Sequence, residues 1–286
     1  MRSRPVAPSD PVPAAWRIVL TGTGTSHGNP PWGRPEWWSD DPRDLRRRSG
    51  AVLLGPSGQV ILIDVGPDLM HQMRDPFRTW DGRSYPADCI VRCDGVLLTH
   101  DHADHCHGLN DLRHLNRLMD GQGITIHGHR SHLDAVQQMF PYCFGGGSDA
   151  YRWSRPAIRA EPIEDGAPRT VAGLTITAVA MSHGTAGRTT GFRCGSMAYL
   201  TDLKVLPLEA DPHLGGLDLL VMNMLREDLH PTHQNWDEAQ AVIARLRPRR
   251  TVLTHMGPEV RHAAWVDRLG ADVVMAVDGH VEMFRS

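Results

Sequence analysis

With 286 residues, 41% of them hydrophobic, the chain has the length and composition of a globular protein that buries one sizeable core. A formal charge of −3 leaves no basic footprint for gripping nucleic acid, and no run approaches the roughly 20 apolar residues of a membrane span. Five cysteines, an odd number without a disulfide framework, point to a reducing compartment, so a cytoplasmic protein is expected.

Residues 1–14 hold four prolines, few large apolar groups and no apolar stretch suited to a signal peptide. They predict a disordered tail ahead of a single domain over residues 15–286. A strand over residues 16–20 runs into Gly22, Gly24 and Gly28, which permit tight turns and close approach. His27 in this loop either lines a site or stands exposed. Residues 29–48 carry Trp32, Trp37 and Trp38, expected to pack the loop down, and the run Arg46, Arg47, Arg48. Guanidinium matches phosphate oxygens, although a solvated charged face is the commoner fate of such a run. Residues 51–54 and 59–63 predict a hairpin around Gly55-Pro56-Ser57-Gly58 that ends at Asp64. A helix from Pro67 to about Arg74 follows.

The densest chemistry lies after the next strand, residues 96–98. In Thr99-His100-Asp101-His102-Ala103-Asp104-His105, histidines and aspartates crowd together as the strand ends. A surface loop has no packing reason for that, and a helix would scatter the side chains over several faces. A sharp strand-to-helix turn would gather them as metal ligands, and imidazole with carboxylate suits zinc, manganese or iron(II). This cluster can seed two metal sites but completes neither. Three later strand-like runs end on a suitable residue: 174–181 at His183, 197–201 at Asp202 and 251–254 at His255. Strand ends gather along one sheet edge, where α/β proteins place their sites.

Leu109, Leu112, Leu115 and Leu118 recur at helical spacing, followed by a strand over 124–127 and a helix over 132–140. His127, His129 and His132 form a second cluster without a carboxylate at usable spacing and read as ordinary loop-end histidines. Residues 141–157, with Gly145-Gly146-Gly147-Ser148 flanked by Tyr142, Phe144, Tyr151 and Trp153, read as a mobile loop. It would serve as a lid or a homodimer contact. Strands over 189–193 and 217–222 and helices over 237–246 and 260–269 come next. Strands over 272–277 and 281–284 close the sheet.

Asp64 after Val60-Ile61-Leu62-Ile63, then THDHADH, His183, Asp202 and His255, resemble in order the five motifs of the metallo-β-lactamase superfamily. Gly22-Thr23-Gly24-Thr25-Ser26, the run from Ile63 to Asp68, Gly108-Leu109-Asn110-Asp111 and Pro231-Thr232-His233 are similar to one branch. That branch holds cyclic phosphodiesterases and the tRNA endonuclease Z. The likeness runs from about Trp16 to Phe284. It implies an α/β protein with the αββα sandwich of the superfamily, two strand-rich halves with helices outside.

It also implies two divalent metal ions, zinc or manganese, with iron as a third option. His100, His102 and His183 would hold the first ion and Asp104, His105 and His255 the second, with Asp202 bridging. Asp64 would orient ligands, a role open also to Asp101 and Asp278, and His280 is a further pocket candidate. Two ions about 3.5–4 Å apart lower the pKa of a shared water toward ~7. His233, placed where the branch carries its catalytic histidine, would protonate the leaving alkoxide, with His230 as its competitor. His233 and Asp104 make up the implied catalytic pair.

The implied activity is hydrolysis of a small, cyclic phosphodiester, with a small molecule rather than nucleic acid or a membrane as partner. A tRNA endonuclease Z-like nuclease, a lactone or thioester hydrolase and an iron-dependent oxidase are the alternatives on the same scaffold. The long tRNA-gripping arm is missing. The cysteine cluster that holds a structural zinc in many members is missing as well, since residues 29–48 contain no cysteine. With Cys89 and Cys93 the one closely spaced pair, no structural zinc is expected.

Overall fold

The computed structural model describes residues 15–74, 92–119, 121–144 and 155–286. The tail, Cys89 and the glycine-rich segment around Gly145 lie outside the described residues. The chain opens with β1 (Trp16–Gly22), β2 (Gly50–Leu54), β3 (Val60–Ile63), β4 (Gly95–Leu98), β5 (Ile124–Gly128) and β6 (Ile158–Pro162). It continues through β7 (Pro168–Val171), β8 (Leu174–Ser182), β9 (Arg188–Cys194), β10 (Met197–Leu200), β11 (Leu219–Asn223), β12 (Arg250–Thr254), β13 (Val273–Met275) and β14 (His280–Phe284). They form two seven-stranded sheets, ordered β14-β1-β2-β3-β4-β5-β6 and β13-β12-β11-β10-β9-β8-β7.

Strands β2, β3, β4, β10 and β11 are buried along their whole length. That explains why they read as continuous apolar runs rather than alternating ones, since both sheet faces are covered. Between the sheets, Leu20, Leu53, Ile63 and Leu97 meet Tyr199, Val221 and Val252. On the outer face of the first sheet, Val96 and Leu98 pack under Leu112, Leu115, Leu133 and Val136 of the helices. On the second, Leu200, Met222 and Leu253 pack under Ala239, Val242 and Trp265. Helices therefore cover both outer faces, which is the αββα arrangement. No described helix is long and apolar enough to cross a membrane.

The two halves echo one another, each with antiparallel pairs leading into a parallel run: β3 to β6 in one sheet, β10 to β13 in the other. Strands β3, β4, β10 and β12 thus end at one edge. Strand β8 ends there too, because two antiparallel steps through β9 restore its direction to that of β10.

Two differences from the sequence reading have local causes. The helix expected over 260–269 is a short helix, His262–Trp265, and a single 3-10 turn, Val266–Arg268. Its start is captured by the loop, for the His262 N–H donates to Asp44 Oδ1 at 2.7 Å. The tryptophans do not pack the 29–48 loop down, since Trp32 and Trp38 are 101% and 62% exposed. Trp37 is half-buried beneath the Arg34 guanidinium.

The loop is instead pinned by Arg46, whose buried guanidinium donates to Asp44 Oδ1 at 3.3 Å, Val260 O at 2.8 Å and Gly257 O at 3.5 Å. Asp44 in turn accepts from the Ser39 hydroxyl at 2.7 Å. Removing one partner of a buried pair leaves an uncompensated charge, so Asp44→Ala is expected to cost about 3–5 kcal/mol in unfolding free energy. Trp32→Ala should fall within about 0.5 kcal/mol of wild type. Urea titrations of the two variants measure the contrast.

Candidate metal centre

Asp64, Asp202 and His255 follow β3, β10 and β12 in left-handed backbone, at φ 62°, 55° and 55°. Such a conformation costs a residue with a side chain roughly 1–2 kcal/mol. Here it turns each side chain back across the common edge of the strands. The loops are also interlocked. A Cβ on Gly66 would stand 2.0 Å from the Asp104 carbonyl oxygen. The Val65 N–H donates to His105 O at 2.8 Å, and the Gly108 N–H to Val65 O at 2.7 Å. Glycine at 66 is what lets the segment after β3 lie against the histidine-rich turn after β4.

The structure brings all seven sequence-predicted metal residues together. Possible ligand atoms of His100, His102 and His183 lie within 4.8 Å of one another, as do those of Asp104, His105, Asp202 and His255. All are buried except His102, which stands at the N-terminal boundary of the short helix Ala103–Cys106. Asp202 stands between the two groups with one oxygen toward each. Its Oδ1 is 3.9 Å from His100 Nε2 and 3.6 Å from His183 Nε2. Its Oδ2 is 3.1 Å from His105 Nε2 and 3.3 Å from His255 Nε2. Asp104 Oδ2 completes the second group, 3.1 Å from His105 Nε2 and 3.5 Å from His255 Nε2.

The surrounding bonds fix which nitrogen of each ring faces inward. His183 Nδ1 lies 2.8 Å from the Thr232 carbonyl, which only accepts, so Nδ1 carries the proton and Nε2 presents a lone pair. His105 Nδ1 is held in the same way, 2.6 Å from Asp64 Oδ2. The Thr99 hydroxyl donates to Asp64 at 2.9 Å and lies 3.0 Å from His100 Nδ1, tying a second ring to the same carboxylate. Asp64 therefore orients rather than joins the inward-facing set. Asp64→Ala is expected to weaken metal binding about 10–100-fold, the usual effect of losing such a partner, and competition against a chromophoric chelator reads it directly.

These residues fit divalent ions. Buried His100 Nε2, Asp104 Oδ2, His105 Nε2 and His255 Nε2 have no hydrogen-bond partner. Buried polar atoms are seldom left so; His105 Nε2 and His255 Nε2 lie between Asp104 Oδ2 and Asp202 Oδ2, and His100 Nε2 is 3.9 Å from Asp202 Oδ1. Burial alone would hold His105 neutral, yet Asp104, Asp202 and Asp64 outweigh it and drive its pKa up. His100 is driven down by burial and by the neighbouring His105. Asp202 resists burial and stays ionised through His255 and His105.

His233 is buried beside this cluster. Its Nε2 is 2.9 Å from Asp202 Oδ1, and its Nδ1 is 2.8 Å from the Thr232 hydroxyl and 3.3 Å from His230 Nδ1. Burial pulls its pKa below the ordinary histidine value. Its ligand-capable atoms also group with those of His183 and Asp202, a proximity the sequence did not suggest. His230 is half-buried one contact further out.

Other candidates have different duties. Asp278 accepts from the Thr23 N–H and hydroxyl at 2.9 Å and from the Arg47 N–H at 2.8 Å, so it ties loops together. His280 pairs with Glu282 at 3.0 Å on its own strand. His27 is exposed and lines a cleft with Arg46, Arg47 and Arg48. His132, expected to lack a carboxylate, has one: its Nδ1 is 2.6 Å from Asp101 Oδ1. Thirty-one positions separate the pair, and helix Arg130–Met139 brings them together by packing on the first sheet. No local spacing could show that. His129 caps the same helix through Ser131. Cys93 and Cys106 are buried with thiols pushed up to about 12 by desolvation, and no metal-capable group among the described residues includes a cysteine.

Two sheets with a histidine–aspartate cluster at their shared edge define a class, and the chain belongs to the metallo-β-lactamase superfamily. The model of the beta-lactamase superfamily domain matches residues 59–256. Within that class, the structure is similar to a diphosphatase from the PhnP family, 27% identical with a TM-score of 0.80, covering 94% of this chain and 98% of that one. Zn²⁺-bound PqqB from Methylobacterium extorquens shares the fold at 18% identity and a TM-score of 0.70, over 93% of this chain and 99% of that one. Short-form human tRNase Z does so at 18% identity and a TM-score of 0.64, over 93% and 98%. An octanoyltransferase from Porphyromonas gingivalis is 31% identical over 243 residues, which are 84% of this chain but 46% of that protein. The chain thus spans less than half the length of that relative. Membership implies divalent metal ions at the histidine–aspartate cluster.

Proposed function

We propose that the protein is a dinuclear metal-dependent hydrolase of a small, cyclic phosphodiester. His100, His102 and His183 would hold one ion and Asp104, His105 and His255 the other. The observation that carries this reading is Asp202, whose two oxygens face the two groups separately. A pair of divalent ions there supplies Lewis acidity, which lowers the pKa of a water and offsets the charge that builds on phosphoryl oxygens.

The chain's own residues do the rest. Asp64, Thr99 and the Thr232 carbonyl hold three imidazoles in the tautomer that points Nε2 inward. His233 Nε2 faces the cluster, so a proton on it is aimed where a leaving alkoxide would depart, and the Thr232 hydroxyl steadies the ring from behind. Asp104, whose Oδ2 lies 3.1 Å from His105 Nε2 and 3.5 Å from His255 Nε2, would serve the second group and the reaction together.

A second reading has a specific support. The diphosphatase similar to this chain suggests a phosphoanhydride as the scissile bond, and the same centre suits both. The octanoyltransferase likeness supports including acyl esters, which the same Lewis acidity could activate. A panel with defined metals separates these: bis(p-nitrophenyl) phosphate, a ribose cyclic phosphate, a pyrophosphate-linked dinucleotide, a lactone and an acyl thioester. The phosphodiesterase reading predicts the greatest kcat/KM on the cyclic diester. Turnover confined to the lactone or the thioester would reject it.

A further inference from the structure

Two of the three imidazoles in the first metal group are steadied by a hydrogen bond to their own rings. His100 Nδ1 lies 3.0 Å from the Thr99 hydroxyl, and His183 Nδ1 lies 2.8 Å from the Thr232 carbonyl. His102 has ring contacts, with centroids 4.4 Å from His100 and 5.1 Å from His183. Among the described residues no hydrogen bond reaches its imidazole. It is also the one exposed member of the set. An unheld side chain loses rotamer freedom on binding an ion, which costs affinity, so the placement of His102 depends on its backbone.

The residue between His100 and His102 is anchored from outside the cluster. Asp101 Oδ1 accepts from His132 Nδ1 at 2.6 Å, and the Asp101 carbonyl accepts from the Cys106 thiol at 3.3 Å. His132 belongs to helix Arg130–Met139, which Leu133 and Val136 already fix against the first sheet and His129 caps. The pair is not needed to seat that helix. His132 is buried, and its Nε2 has no hydrogen-bond partner. Burying a polar nitrogen in that state is costly, and an apolar side chain would fill the place more cheaply. The bond to Asp101 is the reason for a histidine there.

We propose that His132 is a positioning residue for the first metal ion, holding Asp101 so that the backbone presents His102 to the ion beside His100 and His183. The inference rests on the dinuclear reading and deepens it. Asp101 is one position from each ligand, so fixing its side chain restricts the torsions on both sides. The His132 ring centroid stands 6.4 Å from that of His100, and His132 belongs to none of the metal-capable groups. It therefore acts through Asp101 and not as a ligand.

The test is cobalt(II) titration of the chelated protein, followed by visible absorption and by competition with a chromophoric chelator. His102→Ala protein, which keeps only the second ion, identifies that ion's affinity and spectrum. His132→Leu should weaken the first ion about tenfold and leave the second within about twofold, as expected for losing a partner that orients one ligand set. His132→Asn, whose amide Nδ2 can still donate to Asp101, should restore most of the lost affinity. Asp101→Ala should match His132→Leu, and the double variant should lose no more than either, because both remove the same contact. Adding His132→Leu to His102→Ala should leave the remaining ion unaffected. Equal weakening of both ions in His132→Leu, or no weakening of either, overturns the proposal, as does a His132→Asn variant as weak as His132→Leu. If His132→Leu fails to fold, Asp101→Ala and His132→Asn carry the same comparison. If wild type takes up a single cobalt ion, the dinuclear reading fails. The clamp then stands if Asp101→Ala and His132→Leu weaken that ion alike, and falls if they do not.

Discussion

Asp202→Ala is expected to lose both metal ions and all measurable turnover, although the side chain removed is small and lies at the end of a strand that stays fully packed. One carboxylate oxygen faces His100 and His183 and the other faces His105 and His255. A truncation therefore opens both groups at once, leaving six ligands arranged around two incomplete sites. Mutating His102, which is exposed and belongs to one group only, should empty one site and spare the other. Elemental analysis of the two variants checks the difference. Loss of a single ion from Asp202→Ala would mean that the carboxylate serves one site. The fold should survive, because Leu200, Met222 and Leu253 beneath the site are untouched.

His233→Ala has the second largest expected effect, and it depends on the leaving group. If His233 delivers a proton to an alkoxide, the variant should lose roughly 10²–10⁴ in rate on an alkyl or ribosyl phosphodiester. It should lose far less with p-nitrophenolate, which departs without a proton. Metal content separates this role from ligation, a needed control because His233 groups with His183 and Asp202. Unchanged metal content with a leaving-group-dependent loss supports the proton donor. Equal losses on both substrates with metals intact point to substrate positioning, and a lost ion makes His233 a ligand.

Much of this site was legible in the sequence because its chemistry is concentrated at strand ends. His100 to His105 sit in one turn, and His183, Asp202 and His255 each close an apolar run, so short buried strands that end along one sheet edge suffice to gather them. Asp64 was legible for the same reason. What escaped was whatever depends on side chains meeting across the fold. The Asp101–His132 contact spans 31 positions, and the grouping of His233 with His183 and Asp202 as a possible metal set went beyond the proton-donor role that the resemblance implied. The edge strand β6, Ile-Arg-Ala-Glu-Pro, is half-exposed and lacks an apolar signature, and it becomes a strand by pairing with β5. Arg46 resembled a solvated charge because sequence alone cannot reveal that Asp44, Val260 and Gly257 enclose it.

The measurement that bears most directly on the dinuclear reading is a metal count on active protein, taken as turnover is restored by stepwise addition of zinc or manganese to the chelated chain. The account predicts two ions per chain, with phosphodiester turnover reaching its maximum only as the second equivalent is taken up. A single tightly bound ion at full occupancy in fully active protein would contradict it.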